Sequence, residues 1–424
     1  MESYSSYKDS GVEWIGDIPK YWYLNKVGHN TYVKGRIGWK GLKSDDFIDE
    51  GPYLITGTDF QSDGSINWEK MYHVDQKRYD EDPFIQLKDN DVLITKDGTI
   101  GKVVYVGNLR GETCLNSGIF LTRPTNEEYI SKYFFWVLKS NVFKIFVDYN
   151  SDGSTIQHLY QNVFINFKFP IPPIPEQTQI VSFLDTKTQK IDELIKKTEQ
   201  KIKLLKEKRT SLINHCVTKG LNPNVEMKDS GVEWIGEIPI HYDIVRLKFL
   251  CSVKTGSRDT QDKVEDGDYP FYVRSPNIER INSYSFDGES VLTVGDGVGT
   301  GKVFHYVNGK FEFHQRVYKF SDFKRITGKF FYWFMKHHFI FVTEDQNSKS
   351  TVDSLRRPLI NGFQFVIPSI EEQTQIVEYL DEQTQKIDST IEKETQRTEL
   401  LKEYRQSLIS EVVTGKIDVR DYNG

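Results

Sequence analysis

Glu176-Gln177-Thr178-Gln179-Ile180-Val181 opens a stretch that reaches Lys219 with neither proline nor glycine, and the same six residues return as Glu372 to Val377. Thr188-Gln189-Lys190-Ile191-Asp192 likewise returns as Thr384 to Asp388. Pro172, Pro173 and Pro175 stand before the first copy and Gly220 after it, the punctuation of a helix start and stop. Apolar residues keep heptad spacing along both copies. Val181, Leu184, Ile191, Ile195, Ile202, Leu205 and Leu212 form the first seam, and Val377, Leu380, Ile387, Ile391, Leu401 and Leu408 the second. Such a- and d-type spacing, held over about five heptads, predicts a coiled coil. Its polar positions also match, Thr188 with Thr384 and Arg209 with Arg405, which implies a shared register. At 1.5 Å per residue each helix is expected to be about 60–65 Å long. Each follows its own globular segment in one chain, so the expected pairing is antiparallel, with those segments at opposite ends of a rod.

A second repeat stands upstream of each helix. Lys8-Asp9-Ser10-Gly11-Val12-Glu13-Trp14-Ile15-Gly16 recurs unchanged as Lys228 to Gly236, and Ile18-Pro19 recurs as Ile238-Pro239. The frames are offset by 220 residues (228 − 8) and the helix starts by 196 (372 − 176), so the enclosed segment is shorter in the second half. The predicted organisation is a frame at 1–22, an insert at 23–174, a helix at 175–221, a repeated frame at 222–242, a second insert at 243–370, and a second helix with tail at 371–424. The fold class is α+β: two homologous mixed α/β domains, two long helices in an antiparallel coil, and an internal pseudo-two-fold repeat.

Composition suits this layout. A chain of 424 residues exceeds one ordinary core, and 38% hydrophobic with 13% aromatic residues is ample for several. Met1 to Tyr7 carries neither a basic patch nor an apolar run, so no secretory signal is expected. No stretch approaches the roughly 18 apolar residues of a membrane span. Cys114, Cys216 and Cys251 are scattered singly, which suggests a reducing, cytoplasmic setting without a zinc site. The net charge of −6 does not favour nucleic acid, although local patches decide binding rather than the total.

Within the inserts, Asp91-Val92-Leu93-Ile94-Thr95 and Ser290-Val291-Leu292-Thr293-Val294 read as strands, and the runs Tyr133–Lys139 and Phe330–Lys336 as aromatic helices whose stripes are core. Gly98-Thr99-Ile100-Gly101-Lys102-Val103 matches Gly297-Val298-Gly299-Thr300-Gly301-Lys302-Val303. A phosphate-binding loop would need a glycine five positions earlier and Ser or Thr after the lysine. Lys96 and Asp296 occupy the first place and valines the second, so these are hairpins with lysine near the tip. His305, His314 and the pair His337-His338 lack metal-ligand spacing, and no nuclease or adenine-methyltransferase motif is found. The reading is a binding protein without a reaction of its own.

The inserts do carry donors suited to DNA. In the first these are Lys34, Arg36, Lys40, Lys43, Thr56, Thr58, Lys96, Thr99, Lys102, Asn116 and Ser154. In the second they are Lys254, Ser257, Arg258, Arg274, Asn277, Thr300, Lys302, Gln315, Arg316 and Ser350. Arg, Lys, Asn and Gln read base edges in the major groove, while Ser and Thr serve phosphates.

With its duplicated frames, its Ile171-Pro172 and Ile367-Pro368 lead-ins, its Glu-Gln-Thr-Gln-Ile-Val helix starts and its Gly101-Lys102 and Gly301-Lys302 hairpins, the chain resembles the specificity (S) subunit of type I restriction-modification systems along essentially its whole length. That resemblance implies two target-recognition domains, each reading half of a bipartite, asymmetric double-stranded DNA target across an unread spacer. It implies no cofactor in this chain. Two methylation (M) subunits would use S-adenosylmethionine on adenine, and restriction (R) subunits would add ATP- and Mg-dependent cleavage. An alternative is a coiled-coil scaffold whose inserts bind proteins; a nuclease or methyltransferase fused into one chain is opposed by the missing motifs.

Overall fold

The computed structural model describes residues 3–35, 47–151, 158–297, 299–347 and 355–422. Two compact units emerge: residues 1–199 with 396–424, and residues 200–395. Among the described residues no helix is long and apolar enough to cross a membrane.

In the first unit the frame is a hairpin of β1 (Tyr7–Asp9) and β2 (Asp17–Pro19). β3 (Tyr23–Lys26) then leads through the short α1 (Val27–Asn30) into β4 (Thr31–Gly35). β5 (Ile48–Ile55), β6 (Tyr72–His73), α2 (Gln76–Asp80), β7 (Val92–Thr95), β8 (Val103–Tyr105), β9 (Thr113–Leu115) and β10 (Ile119–Pro124) follow. A four-stranded sheet has the order β4-β10-β7-β8, and a three-stranded one the order β6-β5-β9. β7 has both faces buried: Val92 and Ile94 join the core beneath the helices, and Leu93 joins the cluster on the opposite face with Leu54, Leu115 and Leu121. That two-sided burial is why the strand reads as an unbroken apolar run. The helices α3 (Ser131–Lys139) and α4 (Asn141–Ser151), the turn α5 (Gln161–Phe164) and β11 (Lys168–Ile171) close the insert, with β11 pairing back onto β3.

The second unit repeats the plan. β12 (Met227–Asp229) and β13 (Glu237–Pro239) form its frame hairpin. β14 (Asp243–Arg246), β15 (Ser252–Thr255), β16 (Tyr269–Tyr272), β17 (Ile278–Ile281), β18 (Phe286–Val294), β19 (Phe304–Phe313) and β20 (Val317–Ser321) follow. Here one six-stranded sheet, β15-β20-β18-β19-β16-β17, replaces the two sheets of the first insert. α7 (Gly328–Asn347), α8 (Arg357–Gly362) and β21 (Gln364–Ile367) complete the insert, and β21 pairs with β14.

The two predicted long helices are α6 (Ile174–Lys219) and α9 (Ile370–Val413). Their pairing is antiparallel within each unit. In the first, Arg405 holds both carboxylate oxygens of Asp192 at 2.8 and 3.0 Å, and Lys402 stands 3.8 Å from Glu199. In the second, Arg209 holds Asp388 at 2.8 and 3.1 Å, and Lys201 reaches Glu394. Numbers rise on one helix as they fall on the other. The predicted seam is the buried face: Leu184, Ile191, Val377, Leu380, Ile387 and Leu408 are buried, and the matched Thr188 and Thr384 return their hydroxyls to Leu184 and Leu380. Val181, Ile195 and Leu401 lie partly buried against the first core, and Leu212 against the second.

α7 makes the second unit acid-sensitive. Burial pushes the His337 and His338 imidazoles down to about 3 and about 4. Both lie below the unfolded value near 6.5, so on acidification the unfolded chain takes up protons that the folded chain refuses. Stability is therefore full above about pH 6.5 and falls as pH drops toward 4, by about 1–2 kcal/mol per histidine at pH 5. Ser140 and Asn141 take these places in the first unit. Hydrogen exchange at pH 7 and pH 5 should show α7 losing protection before α3, and His337→Gln with His338→Asn should abolish the difference.

Candidate nucleic-acid interface

The sheet of the second unit brings five strand ends to one edge. Thr255 faces Tyr318, Val294 faces Val317, and Tyr272 runs beside Phe313. The residues just beyond these ends therefore converge although the sequence scatters them from 256 to 316. The backbone locks them: Gln315 N–H donates to the Arg258 carbonyl at 2.8 Å, His314 N–H to Tyr272 at 2.9 Å, and Gly295 N–H to Arg316 at 2.8 Å. Gly256 makes the close approach possible, since a Cβ there would lie 1.9 Å from the Phe313 carbonyl oxygen.

Three guanidiniums gather at this edge. Arg274 and Arg316 flank Asp296 at 3.6 and 3.5 Å, and Arg258 lies 3.8 Å from the buried Glu312. Gln315 Nε2 donates to Asp259 at 2.8 Å. Behind them is His314, whose pKa burial and the Arg274 charge lower. Its Nδ1 accepts the Arg316 N–H at 2.9 Å, which leaves the proton on Nε2 and fixes the turn carrying Arg316. Arg274, Gln315 and Arg316 are exposed, as base-reading residues must be.

The first unit gathers a different set at the corresponding edge. Asn116 N–H donates to Ile55 and Lys96 N–H to Gly118, both at 2.9 Å, drawing the ends of β5, β7 and β10 together. Lys96 stands 3.6 Å from Asp97 and 5.5 Å from the Phe120 ring centroid, and His158 bonds Asp97 through Nδ1. Lys102 and Thr99 are exposed at the hairpin tip. Lys34, on β4, lies over the Phe84 ring at 5.3 Å.

Several expectations change. Thr300 is buried and its hydroxyl donates to the Gly297 carbonyl at 2.6 Å, so it builds the hairpin turn and is withdrawn as a DNA contact. Thr56 donates its hydroxyl to Asp59 at 2.9 Å and accepts that of the exposed Thr58 at 2.6 Å, so both threonines spend their hydroxyl protons closing a turn. Lys254 and Ser257 are exposed, Lys254 facing Lys319 across β15 and β20; Asn277 is exposed and its carbonyl accepts from Ser275. Arg36, Lys40, Lys43, Ser154 and Ser350 lie outside the described residues.

Asp97, His158, Asp259, Asp296, Glu312 and His314 were not among the expected site residues. For two of them a signal existed: Asp97 precedes Gly98 as Asp296 precedes Gly297, so the repeat marks an acid at one place in both inserts.

The structure also explains the repeated helix starts. Gln177, fully buried, accepts Ile130 N–H at 2.9 Å and donates to the Glu128 and Pro172 carbonyls at 2.9 and 2.8 Å. Gln373 repeats this with Thr327 N–H, Arg325 and Pro368 at 2.8, 2.9 and 3.0 Å. Asp185 accepts the Trp136 indole N–H at 3.0 Å, and Asp381 that of Trp333 at 3.1 Å. Each insert is thus bolted to its helix by the same polar pins. Glu176 adds bonds from Tyr4, Tyr21 and Trp22 to the first frame, and Glu372 meets His241 in the second.

Comparison with known proteins agrees with this architecture. Residues 37–204 and 239–402 match the family model of the type I restriction modification DNA specificity domain. The chain is 24% identical to the type I restriction enzyme MjaVIII specificity subunit of Methanocaldococcus jannaschii, over 96% of this chain and 95% of that protein. It is 31% identical to the EcoDI specificity subunit of Escherichia coli over 43% of this chain and 40% of that protein. A chain from a structure describing complex assembly and conformational transition of the type I R-M system shares the fold, with a TM-score of 0.74 at 16% identity, covering 94% of this chain and 99% of that one. The crystal structure of the HsdS subunit from Thermoanaerobacter tengcongensis gives a TM-score of 0.54 at 14% identity, over 94% and 98% of the two chains.

Proposed function

Because this chain belongs to the type I restriction modification DNA specificity family, and so supplies the DNA sequence specificity of such a system, we propose that the strand-end edge of each insert reads one half of a bipartite, asymmetric duplex target. The observation that carries this is the contrast between the two edges. One scaffold, built twice, presents Arg258, Arg274, Gln315 and Arg316 in one copy and Lys96 and Asn116 in the other. Arginine suits guanine O6 and N7, and asparagine suits adenine N6 and N7. The half read by residues 243–370 therefore contains guanine contacted by Arg274 or Arg316.

In this reading the chain performs no catalysis. Methylation subunits dock on it and carry S-adenosylmethionine, and restriction subunits carry ATP and Mg. The repeated helices and frames serve as the constant part, while the strand-end residues, which differ between the two copies, set the target.

The test is selection of bound duplexes from a randomised pool, with and without a methylation subunit. Arg316→Ala should cost about 1–3 kcal/mol in binding and relax the preference at one position. Unchanged affinity together with an unchanged base profile would remove Arg316 from the interface. A pool that shows no enrichment at all would sink the DNA-reading assignment of these edges.

A further inference from the structure

Asp296 is the odd member of a basic cluster. Its carboxylate lies between Arg274 and Arg316, with a side-chain exposure of 23% against 52% and 63% for the two arginines. One of its oxygens, Oδ1, is buried and has no hydrogen-bond partner among the described residues. Buried acceptors are normally satisfied, so a carboxylate kept half-satisfied at a binding edge is a cost to folding that calls for another role. Stability does not supply one, because exposed ion pairs contribute little.

The geometry suggests what the role is. At 3.6 and 3.5 Å the two contacts are ion pairs rather than hydrogen bonds, so neither contact commits a guanidinium donor. Two like charges that must stand side by side at one strand edge repel each other. A carboxylate between them cancels that repulsion and pulls both side chains to one side of the hairpin, with their donor forks left open. The first insert places an acid at the matching position: Asp97, one residue before Gly98, stands 3.6 Å from Lys96 and is hydrogen-bonded to His158.

We propose that Asp296 is a positioning residue for specificity: it presents Arg274 and Arg316 to the base edges. This rests on the reading that the strand-end edge contacts DNA. Orientation of a bidentate donor separates the right base from the wrong one, while attraction to phosphate needs only charge. Removing the acid should therefore degrade discrimination without weakening attraction.

Asp296→Asn keeps the shape and removes the charge. The variant, assembled with its methylation subunits, is titrated with the selected target duplex and with a scrambled duplex. Affinity for the scrambled duplex should stay the same or rise. The target-to-scrambled ratio should fall about tenfold or more, with base preference relaxed in one half-site alone. Asp296→Glu, which keeps the charge, should restore most of the ratio. An Asp296→Asn protein that keeps the ratio while Arg316→Ala lowers it overturns the positioning role and leaves the DNA edge standing. Equal loss for both duplexes with a lower melting temperature shows a purely structural residue and also overturns it. If neither the arginine variants nor Asp296→Asn alters any half-site, the edge itself is not the reader, and the proposal falls with it.

Discussion

Replacing residues 243–370 with the corresponding segment of a relative should change one half of the methylated target and leave the other half and the spacer as they were. The joints allow it. Asp243 opens β14 and faces Ile367 of β21 in antiparallel register, so the chain enters and leaves the insert at neighbouring positions. Register partners sit about 4.5–5.5 Å apart, and any relative with the same closing pair presents matching ends. The first insert closes the same way, with Tyr23 facing Ile171. The polar pins that hold the insert, Gln373 and Asp381, lie on α9 and stay in place. Genome-wide adenine methylation in cells carrying the hybrid is the measurement. Change in both halves would mean that the inserts do not read independently.

The second large effect is on stability. Gln373→Leu and Gln177→Leu should each strongly destabilise the unit concerned, while Gln375→Leu and Gln179→Leu should do almost nothing. The pairs share residue type and helix, two positions apart. Gln177 and Gln373 are fully buried and each satisfies one backbone N–H and two carbonyls of the insert, whereas Gln179 and Gln375 are exposed. Leucine leaves three buried backbone groups without partners, a loss of about 3–5 kcal/mol when each costs about 1–3 and some relax toward solvent. For a unit of this size that lowers the melting temperature by about 10 °C. Calorimetry of the four variants decides it, and similar melting temperatures for Gln373→Leu and Gln375→Leu would show that the pins do not hold the insert.

The repeat explains why so much of the architecture was legible. Helix register depends on neighbours three, four and seven residues away, so the seam from Val181 to Leu212 and from Val377 to Leu408 could be read directly, as could its matched Thr188 and Thr384. The buried strands at Asp91–Thr95 and Ser290–Val294 declared themselves by unbroken apolar runs, and the antiparallel sense followed from chain order. Duplication also located the glycine hairpins and showed two variable inserts in one constant frame.

The strand-end edge was a different matter. Arg258, Arg274, Asp296 and Arg316 span 58 positions (316 − 258), and no local pattern says that strand pairing will bring them together. Thr300 shows a different failure: its loop marked it as a donor, yet the hairpin turn itself takes its hydroxyl, which donates to the Gly297 carbonyl three residues back. Gln177 and Gln373 illustrate the reverse, since a glutamine in a polar helix start looks solvated until the insert folds over it. Local sequence determined the helices, their register and the doubling of the fold, because those depend on short-range periodicity. Tertiary structure decided which polar groups gather at the strand-end edges and which pin the inserts, because strand pairing, burial and those hydrogen-bond partners come from residues far away in the chain.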